Sequence, residues 1–199
     1  MSAIRLRGAT SGTTDVVAAA IAGDGVMTLP TGTGTLATAA YVDAAVAAGG
    51  KVLQVVSVTK VDTFTTTSTS YTDITGLTAN ITPSSTSSVI LVLCKISVNP
   101  RDSALAAIQL LRGATVIGGG TAVGSRPSAA SAIFTNAAFG TSDLSINFLD
   151  SPASVSSQTY KIQVSVGAGT LGINTSGNDG DNSANPRTSS TITLMEIGA

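Results

Sequence analysis

The sequence contains no histidine and no tryptophan, and it has a single cysteine and a single glutamate in 199 residues. Without imidazole there is no Ser-His-Asp or Cys-His triad and no histidine-based zinc site, and one thiol builds neither a thiolate site nor an intrachain disulfide. A pair of carboxylates is still enough for glycoside hydrolysis. Here the one glutamate, Glu196, falls in an apolar run near the end of the chain, and the aspartates fall mostly in turns, where turn formation accounts for them. The expectation is a protein that is not an enzyme and carries no cofactor and no metal ion.

Charge is also scarce. Charged residues make up 11% of the chain, the formal net charge is −1, and the ten Lys and Arg are scattered singly. No basic field exists to neutralise phosphates, so nucleic acid is not an expected partner. Long apolar runs are missing too: runs such as Val89 to Cys94 fall far short of the roughly 18 residues of a membrane span, and no membrane partner is expected. The first seven residues lack the apolar stretch of a signal peptide, from which synthesis and folding in a cytoplasm is expected. Cys94 lies inside that apolar run and reads as a buried, inert thiol.

What the chain has in quantity is apolar residues, 43%, interspersed with Ser and Thr, as in the run Thr63 to Thr72. β-Branched threonine suits a pleated surface better than a helix, so the composition points to sheets. Residues 1 to 34 alternate short apolar runs (Ile4 to Arg7, Asp15 to Ile21, Val26 to Leu29) with Gly-containing turns. They read as three short strands, with Ile4, Leu6, Val16, Val17, Val26 and Leu29 as the apolar side chains. Three strands are too few to enclose a core, so this segment must pair with another surface or with copies of itself.

Thr35 to Ala48 is Ala-rich, free of Gly and Pro, and closed by Gly49-Gly50. It reads as a helix of about 14 residues with a glycine stop. Leu36, Ala39, Val42 and Val46 form a narrow seam of mostly small side chains suited to parallel copies. The other reading is a surface helix lying on its own domain; in either case so short a helix must pack on something.

From Lys51 the period becomes two. Runs at Val52 to Val58, Tyr71 to Ile81, Ser88 to Val98, Ala104 to Leu111, Thr115 to Ile117, Ser131 to Phe139, Leu144 to Leu149, Tyr160 to Val166 and Thr191 to Ile197 are separated by Pro-, Gly- and Asx-rich turns. Strands at this spacing without intervening helices predict a mainly β fold over residues 51 to 199, an antiparallel β-sandwich or jelly roll, and exclude a parallel α/β fold. Between Gly172 and Pro186 the chain is rich in Gly and Asx, which predicts a long exposed loop. Asn174, Asn178, Asp179, Asp181 and Asn182 are its candidate ligand residues, although their spacing does not match an EF-hand.

Other motifs have plain explanations. Gly32-Thr33-Gly34 and Gly118-Gly119-Gly120 lack the P-loop lysine and the spaced glycines of a dinucleotide fingerprint, and read as turns and strand breaks. Asn80-Ile81-Thr82 and Asn174-Thr175-Ser176 fit the glycosylation pattern, but with no secretion signal they read as chance matches. Tyr71 and Phe64 read as strand packing rather than as a sugar platform.

The stretch from Val26 to Asp43, VMTLPTGTGTLATAAYVD, resembles a segment of the virion-surface appendage proteins of tailed bacteriophages, the short trimeric fibres and capsid decoration proteins. Gly50 to Val55, Ser70 to Leu77, Ile81 to Ser85 and Thr191 to Ile197 are similar to the distal β-sandwich of such proteins. The resemblance implies a homotrimer with an anchoring segment at residues 1–34, a helical neck at 35–50 and an outward sandwich head at 51–199. It implies a place on the virion surface after synthesis in a bacterial host, with the major capsid protein or a tail adaptor protein as partner. Decoration or cementing of the capsid, as a head fibre, is the favoured expectation. A short tail fibre or receptor-binding adhesin that recognises host surface polysaccharide is the alternative.

Overall fold

The computed structural model describes residues 3–7, 13–17, 51–101, 104–135, 140–177 and 179–198. The chain divides into two compact units, Met1–Val46 and Ala47–Ala199. In the first, β1 (Ala3–Arg7) and β2 (Thr13–Val17) pair antiparallel, from Ala3 opposite Val17 to Arg7 opposite Thr13. The second strand thus begins two residues earlier than the apolar run at Asp15. The expected strand at Val26 to Leu29, the expected helix with Leu36, Ala39, Val42 and Val46, and loop residue Asn178 lie outside the described residues.

The second unit consists of β3 (Val52–Lys60), β4 (Phe64–Thr66), β5 (Thr72–Ile81), β6 (Val89–Pro100), β7 (Leu105–Arg112), β8 (Thr115–Ile117), β9 (Ser131–Phe134), β10 (Ser142–Asp150), β11 (Gln158–Val166), β12 (Leu171–Ile173) and β13 (Ser190–Ile197). All described pairings are antiparallel, and there is no helix among the described residues. One sheet runs β3-β13-β6-β10, with β12 beside the end of β6 and β4 beside β12; the other runs β5-β11-β7, with β8 and β9 sharing the far side of β7. Counted along the chain, the eight principal strands β3, β5, β6, β7, β9, β10, β11 and β13 lie in the orders 1-8-3-6 and 2-7-4-5. That is the strand order of a jelly roll.

Period-two alternation builds the core between the sheets. β13 alternates buried and half-buried positions along its whole length, with Ile192 and Leu194 turned inward. On one side they join Ile90, Val92, Cys94, Ile96, Leu144 and Ile146; facing them are Ile74, Leu77, Ile108, Leu110, Tyr160 and Ile162. Each fully buried Leu or Ile contributes about 1.5–3 kcal/mol. Burial also pushes the Cys94 thiol up to about 12, which fits the inert role expected of it.

Two strands were not visible as periodic runs. β4 lies in the Thr-rich stretch, with Phe64 packed against the core, and β12 is interrupted by Gly172. Three residues each, they owe their strand form to partners: β12 pairs with both β4 and the end of β6. At Gly118, after β8, φ is +64° and an added Cβ would lie 2.9 Å from the Phe148 ring, so both backbone and space demand glycine there.

Candidate functional site

The segment from β12 to β13 divides into a buried half and an exposed half. In the buried half Asn174 adopts φ +60°, a left-handed conformation that asparagine tolerates better than most residues. Its Nδ2 donates to the carbonyls of Lys60 (2.9 Å) and Asp62 (3.0 Å), and its Oδ1 accepts from the Ser190 hydroxyl (2.6 Å). Its backbone N–H donates to Ser97 O, and its carbonyl accepts from Thr188 N–H. The residue is 0% exposed. This corrects the expectation of one long exposed loop: Ile173 through Gly177 are buried, and Asn174 spends its amide on holding β3, β6 and β13 together. Neighbouring bonds do similar work, with Asn99 Nδ2 donating to Gly177 O (3.0 Å) and Ser176 Oγ to Pro186 O (3.0 Å).

The exposed half forms a shallow polar cleft of about 330 Å³ lined by Asp179, Gly180, Asp181, Asn182, Asn185 and Arg187. Arg187 holds Asp179 bidentately, Nε and Nη2 at 3.0 and 2.9 Å. Those hydrogen bonds hold the Asp179 carboxyl below the usual carboxylate range. Asn182 N–H and Asn185 Nδ2 both donate to Gly180 O, and Asn182 Oδ1 accepts from Ala184 N–H, which shapes the rim. The sequence expectation for Asp179, Asp181 and Asn182 places three residues that the fold does bring together. It missed Asn185 and Arg187, whose approach depends on how the loop closes rather than on spacing. The cleft offers carboxylates, amides and a guanidinium, groups that suit a hydroxyl-rich ligand. Among the described residues no cluster of three or more His, Cys, Asp or Glu side chains is positioned for a metal ion.

Two buried ionic nodes complete the inventory. Glu196, the only glutamate, is buried and accepts from Ser84 N–H, Ser84 Oγ and Gln54 Nε2, each at 2.7 Å. Burial raises the affinity of that carboxyl for a proton, but the hydrogen bonds outweigh it and bring the pKa down to about 2. All its donors belong to the fold, so it ties the β3 edge and the turn before β6 to β13. Asp150 accepts two hydrogen bonds from Arg112 Nη1 (2.9 and 2.8 Å) and one from the buried Tyr160 hydroxyl (2.6 Å). Burial, followed by that carboxylate, pushes the Tyr160 hydroxyl well above its ordinary range. Tyr71 is half-buried with its hydroxyl on Ser128 O (2.9 Å), and Phe64 packs on the core, as expected of strand packing.

No protein-family model matches the chain, and no curated protein sequence does. Solved structures similar to it include particles of infectious bursal disease virus. The VP2 subviral particle shares 13% identity with a TM-score of 0.36, over 72% of this chain and 40% of that one. The T13 particle of the same virus shares 11% with a TM-score of 0.42, over 94% and 43%. The chain therefore spans less than half the length of these viral chains. At such identities neither residue roles nor partners transfer.

Proposed function

We propose that this chain is a non-enzymatic structural protein of a tailed-phage virion, a homotrimeric surface appendage that decorates or cements the capsid. The observation that carries this reading is the jelly-roll strand order, 1-8-3-6 and 2-7-4-5. Viral capsid, lectin and cupin domains use that architecture, and fold alone does not choose among them. The total lack of histidine removes the imidazole ligands of a metal-dependent catalyst. The resemblance of residues 26–43 to phage appendage proteins supports the virion over a free lectin, and the division into a small N-terminal unit and a larger sandwich suits an anchor and a head. The partners would be two further copies and the major capsid protein, or a tail adaptor protein if the appendage sits on the tail.

Immunogold labelling of intact virions with antibody to the purified protein tests this. Label over the capsid is expected; label confined to the tail tip transfers the chain to the tail-fibre reading, and particles without label overturn the virion role. The polar cleft from Asp179 to Arg187 favours a second reading, a receptor-binding adhesin for host surface polysaccharide. A glycan array probed with the wild-type protein and with Arg187→Ala tests it, and no sugar bound by either removes it.

A further inference from the structure

The two outward faces of the sandwich differ in what lies over their centres. On the sheet containing β5, β11 and β7, the segment between β8 and β9 folds over β7: Ser128 O accepts from both Tyr71 Oη and Gln109 Nε2, and Ala107, Gln109 and Leu111 are buried beneath it. Nearby, Asp73 accepts from Lys161 and Gln163. The centre of that face is covered and charged side chains flank it, while Leu105, Val116 and Phe134 stay exposed toward the β8 and β9 side.

On the opposite face no described segment lies over the centre of the sheet. The pairing register places Val55, Met195, Leu91 and Leu149 in one row across β3, β13, β6 and β10. Leu53 and Leu93 extend the row along their strands. Val55 is 53% exposed, Leu149 54% and Leu53 46%, while Leu91, Leu93 and Met195 are half-buried. The residues paired two positions further along, Ser57, Thr193 and Asn147, are polar, and the Lys95–Asp143 ion pair lies beyond them. The side chains named leave exposed apolar area on the order of 400 Å², the size of the largest patch that a monomer ordinarily carries. A specific interface takes roughly 800 Å² per partner, so this patch with its hydroxyl and amide rim is the right size for an apolar interface centre.

We infer that this face is the contact between head domains of neighbouring copies of the chain, the apolar rows of the copies meeting around their common axis. The inference rests on the trimeric reading above and assigns it a surface. A second copy is the occupant that the position of the patch favours. Leu53 and Val55 stand at the start of β3, immediately after residue 51, so chains joined through the segment before residue 51 hold their β3 starts close together and raise the local concentration of one patch for another. The row carries no charge, which also suits a like surface, because a patch bearing one sign would repel its own copy.

The test uses the full-length protein. Light scattering after size exclusion, over a dilution series, reads the mass of wild type, of the V55R/L149R double variant and of an L105R/F134R control that alters exposed apolar residues on the other sheet. Wild type is expected at three times 19.6 kDa. The row variant should dissociate at concentrations at least about 30-fold higher, because an interfacial charge without a partner is costly, and the control should behave as wild type. In case the arginine variant fails to fold, L149C and V123C are treated with a short bismaleimide; the buried Cys94 thiol stays silent. Covalent oligomers from L149C but not from V123C support the contact. A trimer that dissociates equally in wild type and row variant, or an L149C that gives no covalent oligomers within a trimer, overturns the contact and leaves the trimer standing. A wild-type monomer at 100-fold above micromolar concentration overturns both.

Discussion

Replacing Asn174 by alanine separates a structural node from a ligand residue, and the geometry fixes the size of the effect. The side chain makes three hydrogen bonds, two donated to the Lys60 and Asp62 carbonyls and one accepted from Ser190. At about 1 kcal/mol net for each bond, their loss costs about 3 kcal/mol, with the partners left in a buried pocket. Alanine at φ +60° adds about 1 kcal/mol of backbone strain that asparagine and glycine largely avoid. Asn174→Ala should therefore lose about 4 kcal/mol, a large part of the roughly 5–15 kcal/mol available to a domain. Urea denaturation followed by circular dichroism reads this as a lower midpoint at unchanged slope, and a thermal scan as a drop of about 8–16 °C. Asn174→Gly should recover about 1 kcal/mol of it. A loss below 1 kcal/mol for the alanine variant would refute the assignment of Asn174 to the fold and return it to the surface.

Three further outcomes follow from the buried polar groups. Glu196 has a folded pKa of about 2 against an ordinary 4.5, so it contributes stability above pH 4.5 that is lost as pH falls toward 2. That contribution is at most about 3 kcal/mol; urea melts at pH 5, 3 and 2 should show it in wild type and a flatter profile in Glu196→Gln. Tyr160→Phe should cost about 1–2 kcal/mol by leaving Asp150 short of a donor, and Arg112→Met about 3 kcal/mol by stranding its charge. A double-mutant cycle by chemical denaturation should then give a coupling above 0.5 kcal/mol, and strict additivity would remove the network. Cys94 should resist a thiol reagent at pH 8 in the native protein and react fully in denaturant, and rapid native labelling would contradict its burial.

Much of the sandwich was legible in the sequence because burial on one face of a strand imposes period two locally. The run Thr191 to Ile197 announces its inward residues Ile192 and Leu194 without reference to any other part of the chain. The lack of histidine is likewise read directly from the sequence, and it excludes imidazole chemistry whatever the fold. The cleft was half legible: a Gly- and Asx-rich stretch marks a loop, and Asp179, Asp181 and Asn182 do line it. Arg187 was not, because its bidentate grip on Asp179 exists only after the loop has closed.

Composition and periodicity thus determined that the described residues from Lys51 onward are built on antiparallel strands around a shared apolar core, because each strand side chain's inward or outward position follows from its neighbours two residues away. The tertiary structure decided what partners distant in sequence decide: the short strands β4 and β12, the cover over one sheet and the bare apolar row on the other. It also decided that Asn174 faces the interior. Its side chain meets carbonyls of Lys60 and Asp62, 114 and 112 positions earlier, and no local pattern encodes a bond whose other half is placed by the packing of three strands.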